Sequence, residues 1–582
     1  MKNGKKAKRY LFIAMTALAC SVAIHVLQAQ EATYARVPVD PAHTPVPEAE
    51  RGEIIRCSFS SPAIYPGTKR DYWIYVPAAY TPDRPACVFV CLDGVAFNAP
   101  TVFDRLIPKG DMPVTVGVFV APGAVHDADG KAIHHTRQYE YDTMDDTFVR
   151  FLTEELFPDV ERQTASDGRP IRLSGDGNDR AIAGCSSGGI CAFNAAWHRP
   201  DAFSRVLSCC GSFAALHGGS EFHALVRKAE PKPVRVFLDA GMLDVALPAI
   251  GNLYEANVTM ESALRFAGYE VDHAWHLSGH DATHATQTFP DLMRWLWKGW
   301  PQRIQAGPSN NQTLVQILDS ASGWEPVALP PLKPSTVAFP SALLSNAQGD
   351  VFVSGADGTV YRLEKGETPS LLWQLSAGEK LLACAGRTLY TADVQGRIHV
   401  YDNGRKRTLA RNMAGAAGIA VSEKGHVYVA QRLPGGERAI WLLDEKGNKT
   451  LADRQRCGGV QMAFAPGQRL LACSEDHSHW VSVHTVNGDG TLSNGCRYYW
   501  QHNPDNSERE ETGSMTFDTG NHFYVATDIG VQISEPRGIN VALLSPPAAN
   551  TSAVCFAGEN RDVLFVLSGD KVYRRKMKAR GQ

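Results

Sequence analysis

The second half of the chain repeats a short strand unit at intervals of roughly 40 residues, which is the length of one propeller blade. The first two copies start at Gly349 and Gly386, and each runs from a glycine turn through a strand to a further polar turn. Related units start near Gly425, Gln468, Gly520 and Arg561. Radial repetition is one way in which such short strands protect their edges. The repeat therefore predicts an all-β, six-bladed propeller, with a pair of β-sandwiches as the alternative.

The first half of the chain has a different rhythm. Short apolar runs alternate with amphipathic stretches from about Arg56 to Trp300, for example the runs 88–92 and 114–120 before the helix-like stretch 145–157. Strands that alternate with helical stretches are typical of βαβ units. The pattern predicts a mostly parallel sheet with helices on both faces.

A segment with few apolar residues separates the two rhythms. Gly, Pro, Ser, Asn and Gln dominate between Gln302 and Thr313 and offer little to pack. At 582 residues the chain also exceeds what one hydrophobic core normally supports. We therefore predict a multidomain protein with an α/β domain at 30–303, a linker at 304–320 and the propeller at 321–582.

The N-terminus has the pattern of a signal peptide. An apolar run at 10–27 follows a basic segment and ends shortly before the small residue Ala29. The basic residues are Lys2, Lys5, Lys6, Lys8 and Arg9. The pattern predicts a signal peptide at 1–29, export to the periplasm or the cell exterior, and no membrane span after cleavage. A permanent anchor, for which the run is barely long enough, and a lipid attached at Cys20 are the alternatives.

Charge and cysteine content limit the expected partners. The formal net charge is −3 and no strongly basic block is present, so nucleic acid is not an expected partner. The thirteen cysteines lie singly or as the pair Cys209 and Cys210, and they form no disulfide framework. No cysteine or histidine cluster has zinc spacing. The sequence predicts neither a cofactor nor a metal, and it leaves the oligomeric state open.

The sharpest local motif is G-x-S-x-G at 184–188, where a short apolar strand runs into a helix-like segment. In a nucleophile elbow the serine occupies a strained strand-to-helix turn, and small residues two before and two after it avoid a clash. Gly184 and Gly188 supply them, so Ser186 is the candidate nucleophile. The backbone N–H of Ser187, at the positive end of the helix, is a candidate oxyanion donor.

A catalytic serine needs an acid and a base, which follow it along the chain in this type of fold. Asp244 lies in the turn after an apolar strand, at the carboxyl end where ligands gather in open α/β sheets, and is the candidate acid. Asp239 is the alternative acid. His280 is the candidate base, with His276 and His284 as alternatives. A metal site formed by His280 and His284 lacks the acidic companion found in H-E-x-x-H.

Several segments resemble the enterochelin-esterase-like and feruloyl-esterase-like α/β-hydrolases, some of which carry a gluconolactonase-type propeller. These segments are 70–77, 92–94, 137–142, 184–188, 237–244 and 279–280. The resemblance implies a serine hydrolase with Ser186, Asp244 and His280 as its catalytic triad. The substrates it implies are carboxylic esters, either carbohydrate-linked acyl groups, with polysaccharides included, or siderophore esters.

The resemblance also implies how the pocket is lined. The backbone around Gly94 and Val95 would join Ser187 in the oxyanion hole. Arg137 and Glu140 would either shape the mouth of the pocket or form a structural ion pair that holds a loop. Both interpretations of this pair remain open at this point.

The second half resembles the gluconolactonase and regucalcin propellers, in which a Glu, an Asn and an Asp hold a divalent cation. Ser341, Val460 and Gly513 stand at the corresponding positions here. A site that loses three hard oxygen ligands loses its ion. The resemblance therefore implies a propeller that binds carbohydrate or limits access to the esterase but does not catalyse. The alternatives are a metal-dependent sugar lactonase that acts through the propeller and a non-catalytic carbohydrate-binding protein.

Overall fold

The computed structural model describes most of the chain. The described ranges are 39–330, 340–455, 459–476, 478–503 and 512–582. The predicted signal peptide at 1–29 and the alternative lipid site at Cys20 lie outside these ranges. Within the ranges, no helix combines the length and the apolar character needed to cross a membrane. The described chain divides into two compact units, the first running to Arg227 and including Pro231–Asn310, and the second comprising Lys228–Glu230 and Asn311–Gln582.

The first unit is built around a ten-stranded sheet. The strands of this unit are β1 Glu53–Ser60, β2 Lys69–Val76, β3 Cys87–Leu92, β4 Thr115–Val120, β5 Ala124–His126, β6 Ala132–His135, β7 Arg180–Cys185, β8 Arg205–Cys209, β9 Arg235–Gly241, β10 Ala246–Leu247, β11 Gly251–Asn252 and β12 Glu270–His276. The order in the sheet is β12-β9-β8-β7-β3-β4-β2-β5-β6, with β1 on β2 and with β10 and β11 as a separate hairpin. The strands from β12 to β4 in this order are parallel, and the remaining pairs are antiparallel.

Helices connect these strands. They are α1 Ala99–Lys109, α2 Arg137–Asp142, α3 Thr147–Arg150, α4 Phe157–Val160, α5 Ser187–His198, α6 Phe222–Lys228, α7 Leu253–Ala267 and α8 Thr283–Trp297, with a π-helical turn Phe151–Leu156 between α3 and α4. Short 3-10 turns lie at Pro41–His43, Glu48–Glu50, Gly177–Asp179 and Gly219–Glu221.

The central strands are apolar along their whole length because both faces of the sheet are covered. Every residue of β3 and of β4 is buried, as is typical of a parallel sheet between helices. One hydrophobic cluster packs α1 and α8 against the sheet. At its centre the ring of Phe89 lies 5.2 Å from that of Phe103 and 5.7 Å from that of Phe289, both edge-on. These packed layers hold the carboxyl ends of the parallel strands in fixed positions.

The second unit contains six sheets of four antiparallel strands each. Its strands are β13 Glu325–Pro326, β14 Pro340–Ser345, β15 Val351–Gly355, β16 Thr359–Leu363, β17 Pro369–Gln374, β18 Lys380–Ala385, β19 Thr388–Ala392, β20 Ile398–Asp402, β21 Arg405–Ala410, β22 Ala416–Val421, β23 Val427–Arg432, β24 Arg438–Leu443, β25 Lys449–Gln455, β26 Met462–Phe464, β27 Leu470–Ser474, β28 Trp480–Val486, β29 Leu492–Trp500, β30 Met515–Phe517, β31 Phe523–Thr527, β32 Gly530–Ser534, β33 Asn540–Leu544, β34 Thr551–Ala557, β35 Val563–Ser568 and β36 Lys571–Lys576. Two 3-10 turns, Glu364–Gly366 and Pro466–Gln468, complete it.

These sheets are the blades of a six-bladed propeller. Five blades use four consecutive strands, whereas the sixth joins β34, β35 and β36 to β13 from the start of the unit. The Val327 N–H extends this pairing by donating to the Val572 carbonyl (2.8 Å). The fold class predicted from the sequence, a mostly parallel α/β sheet followed by a six-bladed propeller, is confirmed, and the β-sandwich alternative is wrong.

A short helix, α9 Gln312–Ile317, lies inside the segment that the sequence predicts as a linker. The Asn311 side chain accepts hydrogen bonds from the N–H groups of Thr313 and Leu314 and so caps the helix. Leu314 and Ile317 are buried in a hydrophobic cluster of the propeller unit. The sequence does not predict this helix because polar residues dominate the segment and only one helical turn is apolar.

Candidate active site

Ser186 occupies the turn between β7 and α5. Its backbone has φ 59° and ψ −123°, a left-handed φ that costs energy in any residue other than glycine. The Ser186 N–H donates to the Cys209 carbonyl and the Gly189 N–H donates to the Ser186 carbonyl, both at 2.9 Å. A Cβ on Gly184 would collide with the backbone of Gly188, so this turn requires glycine there. The strand, turn and helix expected around Ser186 are therefore present.

The hydroxyl of Ser186 lies beside the loop that follows β8. Its Oγ is 3.2 Å from Ser212 Oγ, and the Ser212 N–H donates to the Ser186 carbonyl (3.1 Å). Among the described residues, no hydrogen bond joins Ser186 to a histidine. Sequence reasoning missed Ser212 because a serine in a strand-end loop has no motif of its own.

Asp244 and His280 come together at the carboxyl ends of β9 and β12. The Nδ1 of His280 lies 2.7 Å from Asp244 Oδ1. Asp244 is buried, whereas 29% of the His280 side chain is exposed. The end of β9 and the loop after β12 approach so closely that a Cβ on Gly241 would collide with the Ser278 carbonyl. The candidate acid and the candidate base thus form one hydrogen-bonded pair that remains open to substrate.

Cys210 is the second contact of His280. Its sulfur, a carboxylate oxygen of Asp244 and a ring nitrogen of His280 all lie within 4.8 Å of one another. The hydrogen bond to Asp244 and, after it, the hydrogen bond to Cys210 outweigh burial and raise the pKa of His280 to about 10. The imidazole is therefore protonated at neutral pH. Sequence reasoning missed Cys210, although its place directly after β8 resembles that of Asp244 after β9.

Asp239, the alternative acid, belongs to a separate cluster with both alternative bases. Its Oδ1 lies 3.0 Å from His276 Nε2 and its Oδ2 lies 2.7 Å from His284 Nδ1. The two imidazoles stack with centroids 4.1 Å apart and planes inclined by 19°. Burial raises the pKa of Asp239, but the hydrogen bonds from the two histidines outweigh it and hold the pKa below its usual range. In the described residues, the hydrogen bonds of Asp239 to His276 and His284 are separate from the hydrogen bond between Asp244 and His280.

The backbone predicted for the oxyanion hole offers two donors instead of three. The Gly94 N–H donates to the Val120 carbonyl (3.2 Å) and is therefore occupied. In the described part of the chain, no acceptor is paired with the N–H of Val95, and the N–H of Ser187 lies in the first turn of α5, where a helix has no internal acceptor. Val95 and Ser187 are thus the donors available to an oxyanion.

Arg137 forms an ion pair with Asp93 and not with Glu140. Its Nε lies 2.7 Å from Asp93 Oδ1, a second nitrogen lies 2.8 Å from Oδ2, and that nitrogen also donates to the Cys185 carbonyl (3.2 Å). Both side chains are about one-third exposed. Arg137 therefore braces the loop after β3 against the end of β7, immediately before Ser186.

The side chain of Glu140 is buried. Its carboxylate forms two hydrogen bonds with Arg70, at 2.6 and 3.0 Å, and neither side chain is exposed. The hydroxyl of Thr136 and the N–H of Gly123 also donate to it. Glu140 joins α2 to β2 through Arg70, so the ion pair between Arg137 and Glu140 considered from the sequence is not formed.

The described residues contain two clusters of three side chains that could hold a metal ion. In each cluster the potential ligand atoms lie within 4.8 Å of one another. The two clusters are the Cys210, Asp244 and His280 group and the Asp239, His276 and His284 group. In the propeller, Val460 is buried and Gly513 has no side chain, so neither offers a cation ligand. The side chain of Ser341 lies outside the described residues.

Comparison with known proteins finds a family model that is similar to the first unit. A family model described as "Putative esterase" matches residues 63–294. No curated protein matches the chain.

Three solved structures are similar to parts of the chain. A ferulic acid esterase is 19% identical, with a TM-score of 0.33 over 43% of this chain and 99% of its own. The enterobactin esterase FES from Shigella flexneri is 22% identical, with a TM-score of 0.35 over 45% of this chain and 63% of its own. A gluconolactonase from Xanthomonas campestris is 16% identical, with a TM-score of 0.37 over 46% of this chain and 93% of its own.

The family match at 63–294 lies within the first unit, which is built around the mostly parallel sheet. The resemblance to esterases found in the sequence is confirmed at this level. The first unit is thus similar to an esterase family and the match supports an esterase-type hydrolase, while the second unit is a six-bladed β-propeller.

Proposed function

We propose that this protein is an exported serine esterase in which Ser186 is the nucleophile, His280 the base and Asp244 the acid. The observation that carries the proposal is the 2.7 Å bond between His280 and the buried Asp244, at the edge of the sheet where β7 also delivers Ser186 in a strained turn. Three parallel strands thus bring the required side-chain types to one edge. Export rests on the N-terminal sequence pattern alone.

The chemistry follows from these positions. His280 in its neutral form takes the proton of Ser186 as Oγ attacks the ester carbonyl, and Asp244 orients the imidazole and stabilises its charge. The N–H groups of Ser187 and Val95 stabilise the oxyanion. The protonated His280 then gives this proton to the leaving alcohol, which forms the acyl-enzyme. Water that loses a proton to His280 attacks the acyl-enzyme, and His280 returns this proton to Ser186 as the acid leaves. Ser186 must turn from Ser212 toward His280, a tightening that is common when an empty site binds substrate.

The surroundings of the acid favour an apolar acyl group. Met242 and Leu243, directly before Asp244, are 46% and 43% exposed, and Val95 is 46% exposed. Apolar side chains at the surface beside a polar catalytic centre suit an ester whose acyl part is apolar or aromatic. A carbohydrate-linked or siderophore-type ester meets this description, and a polysaccharide is one possible carrier of it.

The propeller, in this proposal, does not catalyse. The positions of two of the three cation ligands of related lactonases hold Val460 and Gly513, which cannot coordinate a cation through a side chain. A carbohydrate-binding role, or control of access to the esterase, is compatible with such a propeller.

The test is hydrolysis of p-nitrophenyl acetate, methyl ferulate and acetylated xylan by the full chain and its Ser186→Ala variant, with and without EDTA. We expect Ser186→Ala to lower kcat at least about 10⁴-fold, because the remaining groups of a triad act only through the nucleophile. The matched control is Ser166→Ala, an exposed serine in a turn, which should stay within about threefold of wild type. Activity that survives in Ser186→Ala and disappears with EDTA would move the chemistry to a metal site.

A further inference from the structure

The mechanism above makes no use of Asp239, His276 and His284, the cluster next to the proposed triad. His276 and His284 flank the loop that carries His280, and Asp239 binds both of them. His276 is the last residue of β12, and His284 is the second residue of α8, so the loop between them spans only 277–283. Asp239 lies on β9, the neighbouring strand. One buried carboxylate therefore holds both ends of the loop.

Backbone hydrogen bonds reinforce the same junction. The N–H of Met242 donates to the His276 carbonyl (2.7 Å), and the N–H of Leu243 donates to the Ser278 carbonyl (2.9 Å). The turn that carries Asp244 and the loop that carries His280 are thus joined by main chain on one side. The Asp239 carboxylate joins them by side chains on the other, since Asp239 precedes that turn on β9.

The buried carboxylate of Asp239 is hydrogen-bonded by both histidines. Asp239 is fully buried, and in the described part of the chain the side chains of His276 and His284 both lie within hydrogen-bond distance of its carboxylate. A buried carboxylate that loses a donor keeps the whole cost of its desolvation. Ser278 Oγ, 2.6 Å from His276 Nδ1, fixes the ring so that Nε2 carries the proton toward Asp239. The network therefore has one low-energy arrangement.

The stacking of the two imidazoles favours hydrogen bonds over a shared cation. The rings lie nearly parallel, with centroids 4.1 Å apart, so the two nitrogens that approach Asp239 lie in neighbouring, nearly parallel planes. Ligands of a tetrahedral metal point toward one centre. Each nitrogen instead approaches its own carboxylate oxygen, His276 on Oδ1 and His284 on Oδ2.

We propose that Asp239, His276 and His284 are positioning residues that clamp the loop of His280 and hold its imidazole in reach of Ser186. This inference rests on the proposed function, because it assigns the base role to His280. The three residues do not touch the reacting atoms. They act through the placement of His280, and a displacement of about 1 Å in such a group can cost about 100-fold in rate.

The experiment compares His284→Ala with the conservative variant His284→Asn, whose Nδ2 occupies the position of the histidine Nδ1. We expect His284→Ala to lower kcat for p-nitrophenyl acetate about 10- to 100-fold with KM within about threefold, since substrate binding is not altered. His284→Asn keeps a donor to Asp239 and should recover kcat to within about threefold of wild type. Thermal unfolding of each variant shows whether it is folded.

The matched control is His273→Ala. His273 also lies on β12, approaches a carboxylate, that of Glu261 at 3.5 Å, and stacks on the ring of Trp275 at 4.5 Å. It lies before the loop and outside the cluster, so kcat of His273→Ala should equal that of wild type. A loss of kcat shared by both alanine variants would reveal a general effect on β12 and would overturn the proposal.

Three further results would overturn the clamp. They are wild-type kcat in folded His284→Ala, an equal loss in His284→Asn and His284→Ala, and stoichiometric zinc in the purified wild type that is lost in His284→Ala. Failure of the proposed function gives a different result, because activity would then survive in Ser186→Ala. The results that overturn the clamp are therefore read in a protein whose activity is lost in Ser186→Ala.

Discussion

The proton on His280 decides when the proposed site can work. A general base must be neutral, and the bonds to Asp244 and Cys210 raise the pKa of His280 to about 10. A group with a raised pKa in the folded protein stabilises the fold below its unfolded pKa, and this contribution disappears as the pH rises through the folded value. The same rise in pH that activates His280 thus removes its contribution to stability.

We expect kcat/KM of the wild type to rise from pH 7 toward pH 10, because deprotonation of His280 creates the base. In Cys210→Ala the second cause of the raised pKa is absent, so the inflection of the profile should move to lower pH. A pH series of initial rates on p-nitrophenyl acetate measures both curves. The control is Cys87→Ala, a buried cysteine on β3 that has no contact with His280. Coincident profiles for wild type and Cys210→Ala would contradict the role given to the thiol.

At the scale of elements, the contact between α2 and β2 depends on one buried ion pair. Arg70 and Glu140 are both inaccessible to solvent, and they place α2 beside the start of α5 and its nucleophile turn. A buried pair adds little stability compared with an apolar pair, but the loss of one partner leaves a bare charge in the core. A single substitution in this ion pair is therefore expected to destabilise the packing of the short helix α2.

We expect Glu140→Gln to lower the free energy of unfolding of the esterase domain by about 3–5 kcal/mol, because the Arg70 guanidinium stays buried without its counter-charge. Urea unfolding followed by tryptophan fluorescence measures the change. Asp71→Asn serves as the control, since the Arg56 and Asp71 pair is exposed and such pairs contribute about 0–1 kcal/mol. Equal losses in the two variants would contradict the explanation.

Sequence spacing could predict the elements of the site but not the pairing within it. The acids are five residues apart and the histidines four apart, so spacing allows several combinations. The parallel register of β9 and β12 resolves them, because it sets Asp239 opposite Ala274 and Gly241 opposite His276. Asp244 then reaches His280, and Asp239 reaches His276 and His284. Register between distant strands is a tertiary property that local periodicity does not contain.

At the scale of the whole molecule, the two halves were predictable for different reasons. Alternating apolar runs indicated the parallel sheet, and the repeat indicated the blades, since both patterns follow directly from the burial of each strand. The pairing of β13 with β36 was not predictable, because two residues at 325–326 contain no periodicity. The partners of Arg137 and Glu140 were missed for a similar reason, as both pair with residues of distant strands or loops.

For the propeller we expect no metal-dependent lactonase activity. The Ser186→Ala variant of the full chain, given Ca²⁺ or Zn²⁺, should hydrolyse gluconolactone no faster than the solution without protein, because Val460 and Gly513 offer no side-chain ligand. The measurement is acid release at constant pH, with bovine albumin as a protein control. Hydrolysis that requires the metal would overturn the assignment of the propeller as non-catalytic.

The pairing of β13 with β36 also determines the order in which the propeller can be completed during synthesis. Five blades consist of consecutive strands and can form as the ribosome delivers them, but the sixth requires a strand made first and strands made last. Until residue 576 has left the exit tunnel, β13 lacks its partner and the ring has two open edges. Every nascent chain therefore passes through a stage in which unpaired strand edges are exposed to chaperones and to neighbouring chains.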